Sequence, residues 1–584
     1  MGAIHYYEKE RVFKLDTPHT SYLIGIVDEE GFLGHMYYGA KITDYDVRAL
    51  MRTGEAPFVP SQNNRDRSSF LDAFPMEYPG HGVGDYRESA ISVSDKSGNT
   101  AVQPLYREHK IYAGKPGLPG LPATFGSEEE CETLEIVLAD EVLDLTVTLY
   151  YTAFCDVDVI ARSVRVTNHA KEPVYLTKVF SAALDLDAED YRMLTLHGSW
   201  ARERQIEYRQ IGYGKQSVGS CRGESSHQEH PFVALVSANA GQEQGRVYGF
   251  HFVYSGNFLA QVEKNQFDSL RVVMGIHPQD FKWELKQGET FTAPEVVLTY
   301  SDAGLGGMTR TLHDLYRKHL IRSPYKDRER PVLINNWEAT YFDFDTEKLL
   351  AIAREAKKSG IEMLVMDDGW FGHRNDDNTS LGDWQVNEQK ITGGLKRLVD
   401  QVNEIGLEFG IWFEPEMISP DSDLYRTHPD WAIALPGRTP CRSRNQYVLD
   451  LSRKEVRDYA YECVASILRS ANIAYVKWDM NRQLTDLGSS ALPVENQGEL
   501  LHRYVLGVYE LQERLITEFP ELLLENCSGG GARFDPGMLY YSPQIWCSDD
   551  MDAIERLKIQ EGTALLYPLS ARMCPTARTI QWDA

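Results

Sequence analysis

The part of the chain after Pro324 alternates short apolar segments with longer amphipathic ones, and this alternation limits the fold more than any other feature of the sequence. Strands that alternate with helices pair in parallel through right-handed crossovers. The predicted strands are residues 332–334, 363–366, 409–412, 474–476, 522–524, 544–546 and, with a weaker pattern, 565–567. The predicted helices are residues 346–358, 394–405, 454–470, 500–518 and 551–561. A closed (β/α)8 barrel has eight strands, so the pattern predicts a (β/α)8 barrel that lacks its last strand.

The part before Pro324 has short alternating segments broken by Gly, Pro, Asn and Asp. Apolar and polar side chains alternate clearly in residues 134–149, 159–166, 250–254 and 270–274. Such a series predicts a large antiparallel β-sandwich. Residues 305–321 have helical spacing and link the two predicted domains, which we place at 1–323 and 324–584.

Charge and cysteine content exclude several classes of function. The chain of 584 residues carries a net charge of −26 with a pI near 5.1, so phosphate backbones and anionic lipid surfaces would repel it. It has no signal-peptide core and no apolar run of bilayer length. Its eight cysteines show neither CxxC nor Cys/His spacing, which argues against a disulfide framework or a zinc site. We therefore expect a cytoplasmic protein with no nucleic-acid or membrane partner.

Acids and Trp residues follow the predicted barrel strands. In such barrels the loops at the carboxyl ends of the strands form the active face. Carboxylates accept hydrogen bonds from hydroxyl groups, and indole rings offer a flat apolar surface, so the combination suits a sugar. The residues concerned are 335–338, 367–370, 412–416, 477–481, 525–531 and 547–550.

Hydrolysis of a glycosidic bond requires two carboxyl groups, and Asp479 and Asp549 are the predicted pair. Lys477 lies two residues before Asp479, on the same side of the strand, and favours the ionised form that a nucleophile needs. Asp549 follows Trp546 and Cys547, and we expect the drier setting that a general acid needs. Asp550 and Asp552 are alternatives for the acid, and a structural role at the barrel rim is an alternative for Asp549 itself.

Structural roles are also open for other residues at the strand ends. Asp367 and Asp368 could form a turn with Gly369. Glu414 and Glu416 could bond backbone amides inside the barrel, and residues 529–531 could be a flexible turn. Arg444 could be a surface cation. The argument for a site depends on the convergence of these residues on one face.

Together these segments resemble glycoside hydrolase family 36, and within it the bacterial α-galactosidases that act on raffinose-type sugars. Leu196-His197-Gly198-Ser199-Trp200 in the N-terminal part also resembles the family. The matching motifs in the C-terminal part are Asn336-Trp337-Glu338-Ala339, Asp367-Asp368-Gly369-Trp370-Phe371, Gly382-Asp383-Trp384, Trp412-Phe413-Glu414-Pro415-Glu416, Lys477-Trp478-Asp479-Met480-Asn481-Arg482, Glu525-Asn526-Cys527-Ser528-Gly529-Gly530-Gly531-Ala532-Arg533 and Trp546-Cys547-Ser548-Asp549.

The resemblance implies a retaining α-galactosidase that hydrolyses melibiose, raffinose and stachyose without a metal or an organic cofactor. It implies Asp479 as nucleophile and Asp549 as acid/base. It implies that Asp367, Asp368 and Lys477 hold the C4 and C6 hydroxyls of galactose. It further implies that Trp412 lines the subsite, that Trp337 closes the pocket wall, and that Arg444, Asn481, Cys527 and Gly530 hold other hydroxyls. Since relatives are often homotetramers, Trp200 is expected to reach the site of a neighbouring subunit.

The resemblance ends near Ser570. The family continues with a last barrel strand and a C-terminal β-sandwich, whereas this sequence continues with residues 571–584. Plausible codons for this tail, read in another frame, encode the family's continuation. We therefore expect a frameshifted tail, a truncated and incomplete barrel, and low solubility or poor activity.

Two other enzymes are compatible with the same carboxylate pair: an α-N-acetylgalactosaminidase and a galactosyl transferase. The expected truncation adds an inactive sugar-binding protein as a third alternative. Cys527 and the glycines after it favour a free C2 hydroxyl over an N-acetyl group. Galactose binding without turnover would identify the inactive protein.

Overall fold

The computed structural model describes residues 2–27, 30–43, 47–51 and 71–573. Across these residues, antiparallel sheets hold the strands up to Ser301, and a parallel sheet holds the main strands from Leu333 onward. No helix in the described ranges is both long enough and apolar enough to cross a bilayer. The expected frameshifted tail lies, from residue 574 onward, outside the described residues.

The N-terminal part of the described chain contains twenty strands and ends with helix α1, Gly304–His319. The strands are β1 Ile4–Tyr7, β2 Val12–Asp16, β3 Thr20–Val27, β4 Phe32–Ala40, β5 Ile91–Ser94, β6 Leu105–Ala113, β7 Cys131–Asp140, β8 Leu145–Phe154, β9 Val159–Asn168, β10 Val174–Asp187, β11 Tyr191–His197, β12 Gln205–Gln210, β13 Gly214–Ser220, β14 Phe232–Ser237, β15 Val247–Val253, β16 Phe258–Lys264, β17 Ser269–Ile276, β18 Trp283–Leu285, β19 Thr290–Thr292 and β20 Glu295–Ser301.

These strands form three antiparallel sheets in the described residues. The first has the order β1-β2-β3-β4. The second has the order β13-β16-β17-β10-β18 with β5 also on β10, and the third runs β12-β11-β14-β15-β20-β9-β8-β7-β6 with β19 also on β9. Alternate side chains are buried along β7 and β8, so the apolar faces lie in one core, as the alternating sequence predicts.

The C-terminal part alternates strands with helices. Its described strands are β21 Leu333–Asn335, β22 Met363–Met366, β23 Glu408–Phe413, β24 Met417–Ile418, β25 Tyr447–Val448, β26 Tyr475–Trp478, β27 Leu523–Asn526, β28 Gln544–Trp546 and β29 Arg572–Met573. Its described α-helices are α2 Trp337–Thr340, α3 Thr346–Lys358, α4 Leu395–Ile405, α5 Asp423–Thr427, α6 Lys454–Ser470, α7 Leu500–Glu518, α8 Pro536–Leu539 and α9 Ala553–Leu566. Short 3-10 helices lie at Val47–Leu50, Pro324–Lys326, Pro429–Trp431, Val494–Glu499 and Leu569–Ala571.

Seven described strands pair in parallel in the order β21-β22-β23-β26-β27-β28-β29, which is their order along the chain. Their side chains alternate between two cores. Met363, Val365, Tyr475 and Leu523 form a small apolar cluster of their own. Leu364, Met366, Val476 and Leu524 belong to the large core together with helix residues. Both faces of this sheet are therefore packed against other parts of the protein. Strands that are buried on both faces have continuous apolar runs in the sequence, as these strands do.

The prediction of a strand at residues 565–567 is wrong. Leu565 and Leu566 form the last turn of α9, and the Tyr567 amide donates to the Thr563 carbonyl at 3.0 Å. A short apolar run that is buried on all sides has no period that distinguishes a strand from a helix. The seventh described strand is Arg572–Met573, which pairs with β28.

The two parts of the chain are joined along α1 and α9. Thr309 Oγ1 donates to the Leu565 carbonyl at 2.8 Å. The Tyr567 hydroxyl lies 2.7 Å from His230 Nε2 and 3.0 Å from His251 Nε2, both of which belong to the N-terminal part. This packing brings loops of the N-terminal sheets to the carboxyl ends of the parallel strands.

Candidate active site

A pocket of about 1650 Å³ opens at the carboxyl ends of the parallel strands and extends along β21 to residues 325–332 before it. Of the residues that the sequence predicts for the site, all except Gly530 line this pocket: Trp200, Trp337, Asp367, Asp368, Trp412, Arg444, Lys477, Asp479, Asn481, Cys527 and Asp549. Six loops and one segment of the N-terminal part therefore converge as the strand-end pattern predicts. In the described residues, no group of three or more His, Cys, Asp or Glu side chains could hold a metal ion.

Asp479 follows β26 directly and is buried. Its Oδ2 accepts hydrogen bonds from Trp412 Nε1 at 3.1 Å and Asn481 Nδ2 at 2.9 Å, and its Oδ1 accepts from the Met480 amide at 3.0 Å. Burial opposes ionisation, but the charge of Lys477 and these hydrogen bonds outweigh it and lower the pKa of Asp479. The carboxylate is thus ionised and fixed in orientation.

The floor of the pocket holds an ion pair between buried Asp367 and partly buried Lys477. Lys477 Nζ lies 3.2 Å from Asp367 Oδ2, and Asn335 also donates to that oxygen. The Asp367 carboxylate in turn accepts from the Asp368 amide at 2.9 Å, as in the turn that the sequence left open as an alternative. Both carboxylates still face the pocket, so the turn and a binding role coexist.

Asp368 is held by a residue that sequence reasoning missed. Arg374, itself buried, donates from Nη2 to Asp368 Oδ2 at 2.8 Å and from Nε to Oδ1 at 3.0 Å. Burial raises the pKa of Asp368, and the Arg374 charge opposes that rise. Arg374 follows Asp368 by six residues in an irregular loop, so no regular spacing predicts this contact and only the fold of the loop brings the two together.

Asp549 is exposed at the mouth of the pocket, so the expectation of a dry setting is wrong. Its two oxygens accept hydrogen bonds from two indoles, Trp546 Nε1 to Oδ1 at 2.8 Å and Trp200 Nε1 to Oδ2 at 3.0 Å. Trp200 thus contacts Asp549 of its own chain, and its expected contact with a neighbouring subunit stays a prediction. The packing of α1 on α9 explains this, because it brings the loop after β11 onto the barrel rim.

The alternatives for the acid have structural partners. Asp550 pairs with Arg202 at 2.6 Å. Asp552 caps the N-terminus of α9 and accepts from the amides of Ile554 and Glu555 at 2.9 and 3.2 Å. Asp549 is therefore the one of these three acids whose carboxylate accepts hydrogen bonds from indole groups at the mouth of the pocket.

The glycine segment after β27 lies close to both Asp549 and the side chain that bonds Asp479. Gly530 has φ of 85°, and a Cβ there would lie 2.9 Å from the Asp549 amide and 3.4 Å from Asp549 Cγ. A Cβ on Gly529 would lie 3.8 Å from Asn481 Oδ1, the side chain that bonds Asp479. The segment is therefore a close backbone approach rather than a loose turn. It brings the surroundings of Asp479 and Asp549 together.

Cys527 and Arg444 complete the wall around Asp479. The Cys527 thiol is buried, and burial and the Asp479 charge raise its pKa, so it is a protonated donor. Burial opposes the charge of Arg444, but the carboxylates of Glu414, Asp479 and Asp368 raise its pKa. Arg444 is thus a cation of the pocket, although the residue is also exposed to solvent.

The acids after β23 have the structural role that the sequence left open. Glu414 Oε1 accepts from the Asn481 amide at 2.6 Å, and burial and the Asp479 charge raise the pKa of Glu414 to about 7. Glu416 is buried and accepts from Arg533 Nη2 at 2.7 Å and Trp478 Nε1 at 2.8 Å. Both support the loops that carry Asp479 and the glycine segment.

Parallel strands whose carboxyl ends hold two acids, indole rings and hydroxyl-binding groups define a glycoside hydrolase. The "Glycosyl hydrolase family 36 N-terminal domain" matches residues 31–286, and the Melibiase family matches residues 290–577. The chain belongs to glycosyl hydrolase family 36.

Known proteins match almost the whole chain. The α-galactosidase AgaA of Geobacillus stearothermophilus is 52% identical over 571 residues, which are 97% of this chain and 78% of AgaA. Two crystal structures of variants of this enzyme, one in complex with raffinose and one with stachyose, each match with a TM-score of 0.94 and 52% identity over 96% of this chain and 78% of theirs. This chain thus spans about four fifths of the length of these relatives.

Proposed function

We propose that this α-galactosidase hydrolyses terminal, non-reducing α-D-galactosyl residues of melibiose, raffinose and stachyose with retention of configuration. One observation carries the mechanism: the buried carboxylate of Asp479 has a lowered pKa and shares one pocket with Asp549. An ionised, fixed carboxylate is the nucleophile that a double displacement needs. The complexes of the AgaA variants with raffinose and stachyose support the choice of substrates.

In the first step the Asp479 carboxylate attacks C1 of the galactosyl unit, while Asp549 gives its proton to the glycosidic oxygen and the leaving sugar departs. In the second step Asp549 takes a proton from water, and the hydroxide attacks C1 and frees Asp479. The hydrogen bonds from Trp412 and Asn481 orient the Asp479 carboxylate for the first step. They form again when the second step frees that carboxylate.

The galactose specificity is assigned to the floor of the pocket. Asp367, Asp368 and Lys477 hold the C4 and C6 hydroxyls, because the two carboxylates are buried, the Lys477 side chain is only 17% exposed, and all three residues line the pocket. A sugar without an axial C4 hydroxyl would leave these acids unpaired, which gives strong selection. The rings of Trp412 and Trp337 line the apolar faces. The remaining hydroxyls are held by Arg444, Asn481, Cys527 and the backbone of Gly530.

The wider architecture of the proposal is a β-sandwich domain to residue 323 and a (β/α)8-type barrel from residue 324. The pairing of seven strands in chain order and the separate inner cluster support the barrel. Seven described cysteines are free thiols, which supports a reducing, cytoplasmic location. We also propose a homo-oligomer, up to a tetramer, which light scattering of the purified chain would measure.

The roles of the two acids are tested by Asp479→Ala and Asp549→Ala, with the exposed Asp423→Ala as a matched control. We expect Asp479→Ala to lose about 10⁴-fold or more in kcat on all galactosides. With added azide, it should form β-galactosyl azide from an activated substrate, whereas Asp549→Ala should form the α-azide through the galactosyl-enzyme. An unchanged rate in either variant, or azides of the opposite configurations, would refute the assignment.

Substrate class is tested by comparing p-nitrophenyl α-galactoside with its N-acetylgalactosaminide analogue. The proposal expects turnover of the first and little of the second, and proton NMR should show α-galactose as the first product. Faster turnover of the N-acetyl substrate would favour an α-N-acetylgalactosaminidase. Galactose binding without turnover would favour a sugar-binding protein.

A further inference from the structure

Glu203, in the connection between β11 and β12, is a buried carboxyl group to which the proposed mechanism gives no role. The residue is 0% exposed, and its Oε1 accepts from the Gly531 amide at 3.3 Å. Within the described residues, its Oε2 has no hydrogen-bond partner, and neither oxygen forms an ion pair. A buried carboxylate without a cation destabilises a fold, so a native structure that contains one indicates a function for it.

Glu203 lies next to the proposed acid/base. A Cβ on Gly530 would lie 2.9 Å from Glu203 Oε1 and 3.4 Å from Asp549 Cγ. Both carboxyl groups therefore approach the same point, and the glycine places no side chain between them there. Two negative charges oppose each other over about 4–6 Å. The charge of Glu203 thus favours the form of Asp549 that carries a proton.

Arg204 fixes this arrangement, because it bonds the segments that meet at Glu203. Its Nη1 donates to the Gly531 carbonyl at 2.9 Å, its Nη2 to the Cys547 carbonyl, and its Nε to Thr563 Oγ1 at 2.8 Å. Gly531 is therefore held at its amide by Glu203 and at its carbonyl by Arg204. These bonds also hold Arg204 at a positive φ of 54°. The guanidinium group is directed to carbonyl and hydroxyl oxygens, and it forms no ion pair with Glu203.

The cations near Asp549 act in the opposite direction. The charge of Arg444 interacts with Asp549 and with three other carboxylates of the site. Arg556 of α9 lies over the ring of Trp546 at 5.6 Å, and that indole donates to Asp549 Oδ1 at 2.8 Å. Both cations favour the ionised form of Asp549. A general acid in this position therefore needs a negative charge nearby to balance them.

The other charged groups of the rim do not supply that balance. Arg202 pairs with Asp550 at 2.6 Å and with Glu555 at 3.0 Å, so these two carboxylates are neutralised by a cation of their own. The buried Cys527 thiol is a protonated group, because burial raises its pKa. Glu203 is therefore the group whose charge is available to Asp549.

We infer that Glu203 is a third carboxyl group of the active site, whose charge keeps the proton on Asp549 until the glycosidic bond breaks. Glu203 does not line the pocket, so it is a positioning residue for the proton and acts through Asp549. The inference rests on the proposed role of Asp549. It explains how an acid at the exposed mouth of the pocket holds its proton without a dry setting.

Glu203→Gln tests the charge alone, because the amide oxygen can still accept from the Gly531 amide. Without the charge Asp549 should lose its proton at lower pH. The basic limb of the kcat/KM profile on raffinose should therefore move down by about one pH unit, and kcat/KM on the alkaline side should fall about 10-fold. α-Galactosyl fluoride needs little help from a general acid, so its kcat/KM should stay within about twofold. The melting temperature should stay or rise, because a buried charge without a cation is removed.

Glu207→Gln, at an exposed glutamate of β12, is the matched control and should change neither the pH profile nor the melting temperature. A basic limb that stays in place in Glu203→Gln would overturn the inference. Equal losses of kcat/KM on raffinose and the fluoride would also overturn it, since they would show a structural role for Glu203. A wild-type chain that hydrolyses neither substrate would refute the proposed function, and the inference with it.

Discussion

Lys477 Nζ contacts Asp367 Oδ2 at 3.2 Å across β23, which lies between the strands that carry the two residues. Burial opposes the charge of Lys477, but Asp367, Cys527 and Asp479 raise its pKa well above the usual range. The ammonium group of Lys477 thus stabilises two carboxylates: that of Asp367, which we assign to galactose binding, and that of Asp479, which we assign to catalysis.

Lys477→Met should impair both functions of that ammonium group. Without its charge the pKa of Asp479 rises, because Lys477 is the largest cause that lowers it. Since the nucleophile must be ionised, the acidic limb of the kcat/KM profile should move to higher pH, and kcat/KM at neutral pH should fall at least about 100-fold. Lys454→Met, at an exposed ion pair with Asp458, is the control. An acidic limb that stays in place would contradict the role of Lys477.

Gly530→Ala should reduce activity more than stability. The new Cβ would lie 2.9 Å from the Asp549 amide and from Glu203 Oε1, so Asp549 must move. We expect kcat on raffinose to fall about 10-fold or more, because small displacements of a catalytic group are costly. Gly437→Ala is a matched control, with a similar φ of 77° and no atom within 4 Å of the new Cβ. Equal activity in the two variants would show that the close approach at Gly530 is unimportant.

Arg533→Met should destabilise the barrel. Arg533 donates to both oxygens of the buried Glu416, at 2.7 and 3.0 Å, and its loss leaves a buried carboxylate without a cation. Breaking such a pair costs about 3–5 kcal/mol. The melting temperature should therefore fall by several degrees, whereas Arg328→Met, at an exposed pair with Glu521, should leave it unchanged. Similar melting temperatures for the two variants would contradict the prediction.

Glu224 should make the free energy of unfolding decrease as the pH rises. Burial, opposed by Arg533 and Gln483, raises the pKa of Glu224 from 4.5 to about 8. A carboxyl whose pKa is raised in the folded state stabilises it below the unfolded pKa, and that contribution disappears as pH rises through the folded pKa. Each pKa unit corresponds to about 1.4 kcal/mol, so the loss between about pH 4.5 and 8 amounts to a few kcal/mol.

Glu224→Gln should therefore flatten the dependence of melting temperature on pH over this range. Buried Glu525, with a pKa of about 7, and Asp535, with a pKa of about 6, leave a residual decrease in the variant. Glu495→Gln, at an exposed glutamate, should keep the full wild-type slope. A wild-type slope in Glu224→Gln would show that Glu224 ionises without cost.

The regular elements were predictable because each has a local signal. Apolar spacing defines α3, α6 and α7 with the predicted bounds, and Asp345 caps α3 by accepting from the Lys348 amide at 2.9 Å. The site was predictable in outline, because parallel strands bring every carboxyl end to one face whatever the loop details.

The remaining features depend on contacts between residues far apart in the chain. The bond from Trp200 to Asp549 spans 349 positions, so no local pattern shows whether it lies within or between subunits. The exposure of Asp549 depends on how loops from two domains meet. Arg374 lies near Asp368 in sequence, but it reaches that carboxylate only through an irregular loop. Long-range packing, not propensity, decides these three features.

The anchoring of Arg204 bears on how this enzyme could be re-engineered. Its guanidinium group bonds Gly531 and Thr563, so excising the parallel-strand unit as a stand-alone catalyst would leave those carbonyl and hydroxyl acceptors without their donor and the acid/base without an indole. A chimaera that grafts this unit onto another scaffold must therefore carry the β11–β12 connection with it.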